Sequence, residues 1–139
     1  MAGASPHSRG VALIGSGSAQ AAQVISNNQL GLRVDTSDEW IQSRTGISTR
    51  RVSSPDQRLS DLAADAGRSA LAMAGWSPES LDLVLLATST PDDLFGTAPA
   101  VQAALGATNA VAFDLTAACS GFLFSLVTAA QFLRTGSMR

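Results

Sequence analysis

The run Leu83-Val84-Leu85-Leu86-Ala87-Thr88 is apolar without alternation, which predicts a strand buried on both faces. A second run, Val111-Ala112-Phe113-Asp114-Leu115, predicts a strand that gives way to the small residues Thr116 to Gly121. From Phe122 the apolar positions follow a helical pattern that ends near Arg134. Helical spacing also links Leu62, Ala63, Ala66, Ala70, Met73 and Ala74, with Ser60 as the expected N-cap and Gly75 as the stop. Thr36 to Gly46 reads as a short helix with a Thr36/Glu39 capping box and Gly46 as C-cap. Ala98 to Leu105 predicts another short helix, ending at Gly106. The short run Val11-Ala12-Leu13-Ile14 predicts a buried strand, with Gly15 and Gly17 as turn glycines. Polar stretches at Ile47 to Arg58, with Arg50 and Arg51 as a solvated rim, and at Ser89 to Pro99 read as loops. Strands alternating with helices predict a layered α/β domain.

Bulk composition narrows the class. The 139 residues suffice for one domain with a core, and 45% apolar with only 14% charged residues describes a globular protein with little charged surface. The formal charge of 9 minus 11, or −2, lacks the positive excess of a nucleic-acid binder. One cysteine makes no internal disulfide, and no Cys/His cluster suggests a metal, which fits a reducing cytoplasm. Residues 1–10 have no apolar core, so they read as a flexible tail rather than a signal peptide or membrane anchor. His7, the only histidine, lies there and is a poor candidate for a catalytic base. Gly15-Ser16-Gly17 fails as a dinucleotide fingerprint, because Gln20 stands where a third glycine or alanine is required.

Three features carry candidate chemistry. Cys119 lies at a strand-to-helix junction, where unpaired backbone N–H groups and the helix dipole favour the thiolate that attacks carbonyl carbon. Ser120 and Gly121 leave room for a substrate; the alternative is a small buried hydrophobe. Trp40 and Arg44 stand four apart on one helical face, a flat ring beside a planar cation, suited to the base and phosphates of a nucleotide-like ligand. The competing reading is a core Trp with an Arg across its edge. Phe95 is the one large aromatic in its loop, either a contact residue or an anchor tucked into the same domain.

Taken together, these segments resemble β-ketoacyl-acyl carrier protein synthase III, the initiating condensing enzyme of dissociated fatty-acid synthesis. Thr36-Ser37-Asp38-Glu39-Trp40-Ile41 with Arg44-Thr45-Gly46-Ile47 is similar to that family's coenzyme A-binding helix. Ala112-Phe113-Asp114-Leu115 with Ala117-Ala118-Cys119-Ser120-Gly121-Phe122 is similar to its active-site cysteine segment. Leu85 to Thr90 resembles the strand and loop between them. The likeness runs from about Val11 to Arg139.

The resemblance implies the N-terminal half of a thiolase-like five-layer αβαβα sandwich, residues 11–139, with a mixed sheet and a buried Cys-bearing helix. It implies that Cys119 takes the acyl group from acyl-coenzyme A, a substrate rather than a cofactor, while Trp40 and Arg44 hold the nucleotide end with Thr36 nearby. Phe95 falls where the family sends a Phe across a homodimer interface to line the partner's acyl pocket. Malonyl-acyl carrier protein is the second substrate, and no metal, nucleic acid or membrane is expected. The family's His and Asn for the second half-reaction have no match here, so the chain reads as a fragment inactive alone. An apolar face would be left exposed. The alternatives are a non-catalytic assembly module complementing a separately encoded C-terminal half and, last, a redox-sensing thiol, although no second cysteine could resolve a sulfenic acid.

Overall fold

The computed structural model describes residues 10–138, so most of the expected tail and His7 lie outside the described residues. These residues form two compact units, one of Ala19–Arg58 and the other of the residues up to Ser18 together with those from Leu59 onward.

The Ala19–Arg58 unit holds β1 (Gln23–Ser26), α1 (Asn27–Gly31), α2 (Asp38–Thr45) and β2 (Thr49–Val52). The two strands pair antiparallel, Gln23 opposite Val52 and Ser26 opposite Thr49. Where a surface loop was expected over Ile47 to Arg58, Thr49-Arg50-Arg51-Val52 is therefore a strand. Its mostly polar side chains hide it from an apolar-pattern reading. A capping box does occur, but on α1: the Ser26 hydroxyl accepts from Gln29 N–H (3.2 Å) and the Gln29 side chain accepts from Ser26 N–H (2.9 Å). The cap of α2 is Ser37, not Thr36, with its hydroxyl accepting from Trp40 N–H at 3.1 Å. Gly46 ends α2 as expected, at φ 68°, donating its N–H to Gln42 O at 2.8 Å.

The other unit is layered. α3 (Leu59–Ala74) is followed by a 3₁₀ turn at Pro78–Ser80, then β3 (Leu83–Ala87), α4 (Ala98–Leu105), β4 (Val111–Leu115), a 3₁₀ turn at Ala118–Ser120 and α5 (Gly121–Thr135). β3 and β4 run parallel with Leu83 opposite Val111 and Leu86 opposite Asp114, joined by α4 as the crossover. Leu83 and Leu85 meet α5, whereas Asp114 reaches the start of α4, so the two helices cover opposite faces of the pair. α3 packs against α4, close enough that a Cβ on Gly67 would lie 3.1 Å from Leu105.

Two expectations about the edges of this unit are corrected. Residues 10–18 are in no strand, and Leu13 stays 76% exposed. The apolar run signals burial, but a strand also needs a hydrogen-bonding neighbour, and β3 pairs only with β4 among the described residues. Gly15 and Gly17 are not turn glycines either, since the chain makes no turn there and neither has positive φ. They lie against the α3 backbone: a Cβ would fall 2.3 Å from Ala70 O at Gly15 and 2.1 Å from Ala66 O at Gly17. The glycines permit the segment's close approach to the helix.

Helix α5 is not buried as a whole. Gly121 is buried, at a point where its added Cβ would stand 3.0 Å from that of Ala87, but Phe122, Leu123, Phe124 and Val127 are exposed. The helix is apolar on more sides than the β-pair covers. β3 itself is half-buried rather than sealed on both faces.

Candidate functional site

β4 brings the chain to Leu115, and Ala117 (φ −149°, ψ 33°) begins a sharp reversal. Ala118 follows at φ 44°, the one positive-φ residue other than glycine among those described. For an alanine this conformation costs about 1–2 kcal/mol. Strain of this kind persists only where the surroundings hold it, and it clusters at functional turns. Here it is held by Ser120 N–H donating to Ala117 O at 3.0 Å and by the close contact of Gly121 with Ala87. Cys119 is consequently exposed rather than a buried hydrophobe. It lines an open cleft of about 550 Å³ between β3 and α5, shared with Leu85, Ala87, Phe122 and Ser125. The Ser125 hydroxyl oxygen is buried without a hydrogen-bond partner.

Phe95 sits 92% exposed in the loop between β3 and α4, so it is not tucked into its own unit. The loop around it is nonetheless fixed. Phe95 N–H donates to the Asp93 side chain at 2.8 Å, and Gly96 turns at φ 102°. The Asp114 carboxylate, on the strand that leads to Cys119, accepts from Thr97 N–H (2.8 Å) and Ala98 N–H (2.6 Å) at the start of α4. The Thr97 hydroxyl accepts from Asp92 N–H at 2.7 Å, and the Asp92 carboxylate accepts from Leu59 N–H and Ser60 N–H, each at 2.9 Å. Asp92 therefore caps α3, and Ser60, the expected cap, lies within that helix. Neither aspartate is detectable from local sequence, because each caps a helix more than ten residues away.

In the other unit α2 presents Trp40 and Arg44 together. The Arg44 guanidinium carbon lies 4.3 Å from the centroid of the Trp40 ring, and Trp40 is 54% exposed, so the buried-core reading of that Trp does not hold. Ile41 is the buried residue of α2. Thr36 lies just ahead of the helix with its hydroxyl oxygen buried and unpartnered.

Nothing in the local sequence marks Asn27. Its side-chain amide donates to Asp38 Oδ1 (2.8 Å) and Ile47 O (2.7 Å), and its carbonyl oxygen accepts from the Arg50 guanidinium. Arg50 is thus engaged with a buried amide rather than forming a solvated rim. Gln42 donates to the other Asp38 oxygen at 2.7 Å. These bonds, Gln42 first and Asn27 second, hold the Asp38 carboxyl below the usual carboxylate range. Among the described residues no cluster of three or more His, Cys, Asp or Glu could hold a metal, and no helix is long and apolar enough to cross a membrane.

Known proteins match both units. The family model described as 3-oxoacyl-[acyl-carrier-protein (ACP)] synthase III matches residues 113–139. The β-ketoacyl-[acyl-carrier-protein] synthase III of Synechococcus sp. (strain WH7803) is 79% identical over 139 residues, covering 100% of this chain and 41% of that protein. Its counterpart from Prochlorococcus marinus (strain MIT 9313) is 69% identical, with 100% and 41% covered. Among solved structures, 3-oxoacyl-[acyl-carrier-protein] synthase III from Aquifex aeolicus VF5 superposes with a TM-score of 0.85 at 45% identity, over 91% of this chain and 41% of that one. The priming β-ketosynthase of the R1128 polyketide pathway does so with a TM-score of 0.86 at 38% identity, over 91% and 38%.

Fold and site motif therefore define a thiolase-like α/β protein. Within that class the chain is similar to β-ketoacyl-acyl carrier protein synthase III, and it spans 41% of the length of the Synechococcus and Prochlorococcus relatives.

Proposed function

We propose that the chain supplies the acyl-accepting half of a cytoplasmic condensing enzyme that initiates fatty-acid synthesis, residues 11–139 forming its N-terminal half-domain. The Cys119 sulfur, as thiolate, attacks the carbonyl carbon of acyl-coenzyme A; the tetrahedral intermediate collapses, breaks the carbon–sulfur bond to coenzyme A and leaves a thioester on Cys119. The departing coenzyme A thiolate takes up a proton. Malonyl-acyl carrier protein then loses carbon dioxide, and its carbanion attacks the Cys119 thioester, forming the carbon–carbon bond and returning the thiolate. The family's His and Asn that stabilise this carbanion have no match among these 139 residues, so these residues by themselves do not complete the condensation. Trp40 and Arg44 hold the nucleotide end of the thioester, with Thr36 beside them. Phe95 reaches across a homodimer interface into the partner's acyl pocket. No cofactor takes part.

The observation that carries the reading is the strained turn at Ala118, which puts an exposed thiol between a parallel strand and the first turn of α5. The test is condensation of acetyl-coenzyme A with malonyl-acyl carrier protein by the full-length protein and its Cys119→Ala variant. Product formation is expected to vanish in the variant; preserved turnover removes Cys119 from the chemistry.

A further inference from the structure

We propose that Asn27 is the positioning residue that sets the Trp40–Arg44 platform, and through it the grip on the nucleotide end of the acyl thioester. This rests on the reading that Trp40 and Arg44 hold that end. The geometry comes from one amide that is only 1% exposed. Its two N–H bonds run to Asp38, the first residue of α2, and to Ile47 O, one residue past the Gly46 cap. Both ends of α2 are thus referenced to the same side chain. Asn27 N–H also donates to Ser48 O at 3.1 Å, and the amide oxygen takes the Arg50 guanidinium from β2. Helix start, helix end and the antiparallel ribbon therefore meet at a single residue.

The link to the platform is short. Asp38 precedes Trp40 by two residues, and its second oxygen holds Gln42, one turn along α2. Trp40 and Arg44 are themselves exposed, so no surrounding wall fixes them; their direction follows that of the helix axis. The site demands two donors and an acceptor on one short side chain, which only asparagine provides. Leucine of similar size would strand the Asp38 carboxylate, the Ile47 carbonyl and the Arg50 cation. Aspartate would lose both donors and place a second carboxylate beside Asp38.

The test separates positioning from general stability by using a substrate that lacks the nucleotide. Steady-state kinetics of the full-length protein are measured with acetyl-coenzyme A and with the acetyl thioester of pantetheine, for wild type, Asn27→Ala and Asp38→Asn. The second variant keeps the size of Asp38 and serves if Asn27→Ala does not fold. The expected result is a KM for acetyl-coenzyme A raised about tenfold or more, with kcat and the kcat/KM for the pantetheine thioester each within about twofold of wild type. Equal losses on both substrates, or an unchanged KM for acetyl-coenzyme A, overturn the proposal. Trp40→Ala tests the underlying reading separately. If it does not weaken the coenzyme A substrate more than the truncated one, that reading fails. If it does so while the Asn27 and Asp38 variants do not, the positioning role alone fails.

Discussion

Replacing Asp114 by alanine should loosen the start of α4 and the loop that carries Phe95, without unfolding the β-pair beneath it. Two backbone donors lose their acceptor, Thr97 N–H at 2.8 Å and Ala98 N–H at 2.6 Å. Both residues are fully buried, so water does not readily replace the carboxylate. An N-cap acceptor contributes about 1–2 kcal/mol, and a buried N–H left unpaired costs about 1–3 kcal/mol. The Thr97 hydroxyl makes no cap bond to α4 and is turned to Asp92 N–H instead. The combined local loss is about 3 kcal/mol, which corresponds to exchange roughly 100-fold faster at those amides when local opening governs exchange. Hydrogen–deuterium exchange of the full-length protein reads this directly, with the β3 amides of Leu83 to Ala87 as internal reference. Asp114→Asn keeps one acceptor and should fall between, at about tenfold. Unchanged exchange at Thr97 and Ala98 in Asp114→Ala would refute the capping role. Loss of protection in β3 to the same degree would refute its confinement to the loop.

Other outcomes follow from single contacts. Gly17→Ala puts a methyl 2.1 Å from Ala66 O and 2.6 Å from Ala70 N, so it should destabilise by about 1–3 kcal/mol or more; a thermal midpoint no lower than that of Gly10→Ala, which adds its methyl to open space, contradicts the packing. Asp38 binds its proton less tightly folded than unfolded, so its stabilisation is complete above the ordinary value of 3.8 and is lost as pH falls through the lowered folded value. The stability difference between wild type and Asp38→Asn should therefore be constant near neutrality and shrink in acid; a difference that grows on acidification has the wrong sign. Phe95→Ala should leave stability within about 0.5 kcal/mol, since the ring is exposed, while altering acyl-chain preference and dimer affinity of the full-length protein. Unaltered preference and affinity would remove Phe95 from the interface.

Features set by neighbours in sequence were legible before the structure. α4 begins and ends where its pattern placed it, the Gly46 stop of α2 is correct, and the turn after β4 presents Cys119 as expected. Contacts between distant segments were not. β1 and β2 form a largely polar two-stranded ribbon, so no apolar period announces them, and the bond network of Asn27 joins residues as far apart as Arg50. Asp114 lies within the predicted Val111–Leu115 strand, and its capping of α4 depends on a helix start 16 residues earlier in the chain. Glycine has two uses, so the sequence at Gly15 and Gly17 suggests a turn, and only the position of α3 decides between positive φ and close approach. At Thr36 and Ser37 two adjacent hydroxyls compete for one cap, and sequence alone does not choose between them.

The central claim is that Cys119 accepts the acyl group. Incubating the full-length protein with isotopically labelled acetyl-coenzyme A, quenching in acid to preserve thioesters and mapping the label by peptide mass spectrometry tests it directly. The label should reside on the peptide containing Cys119 and be absent from Cys119→Ala; a label on any other residue, or one that survives the substitution, contradicts the account.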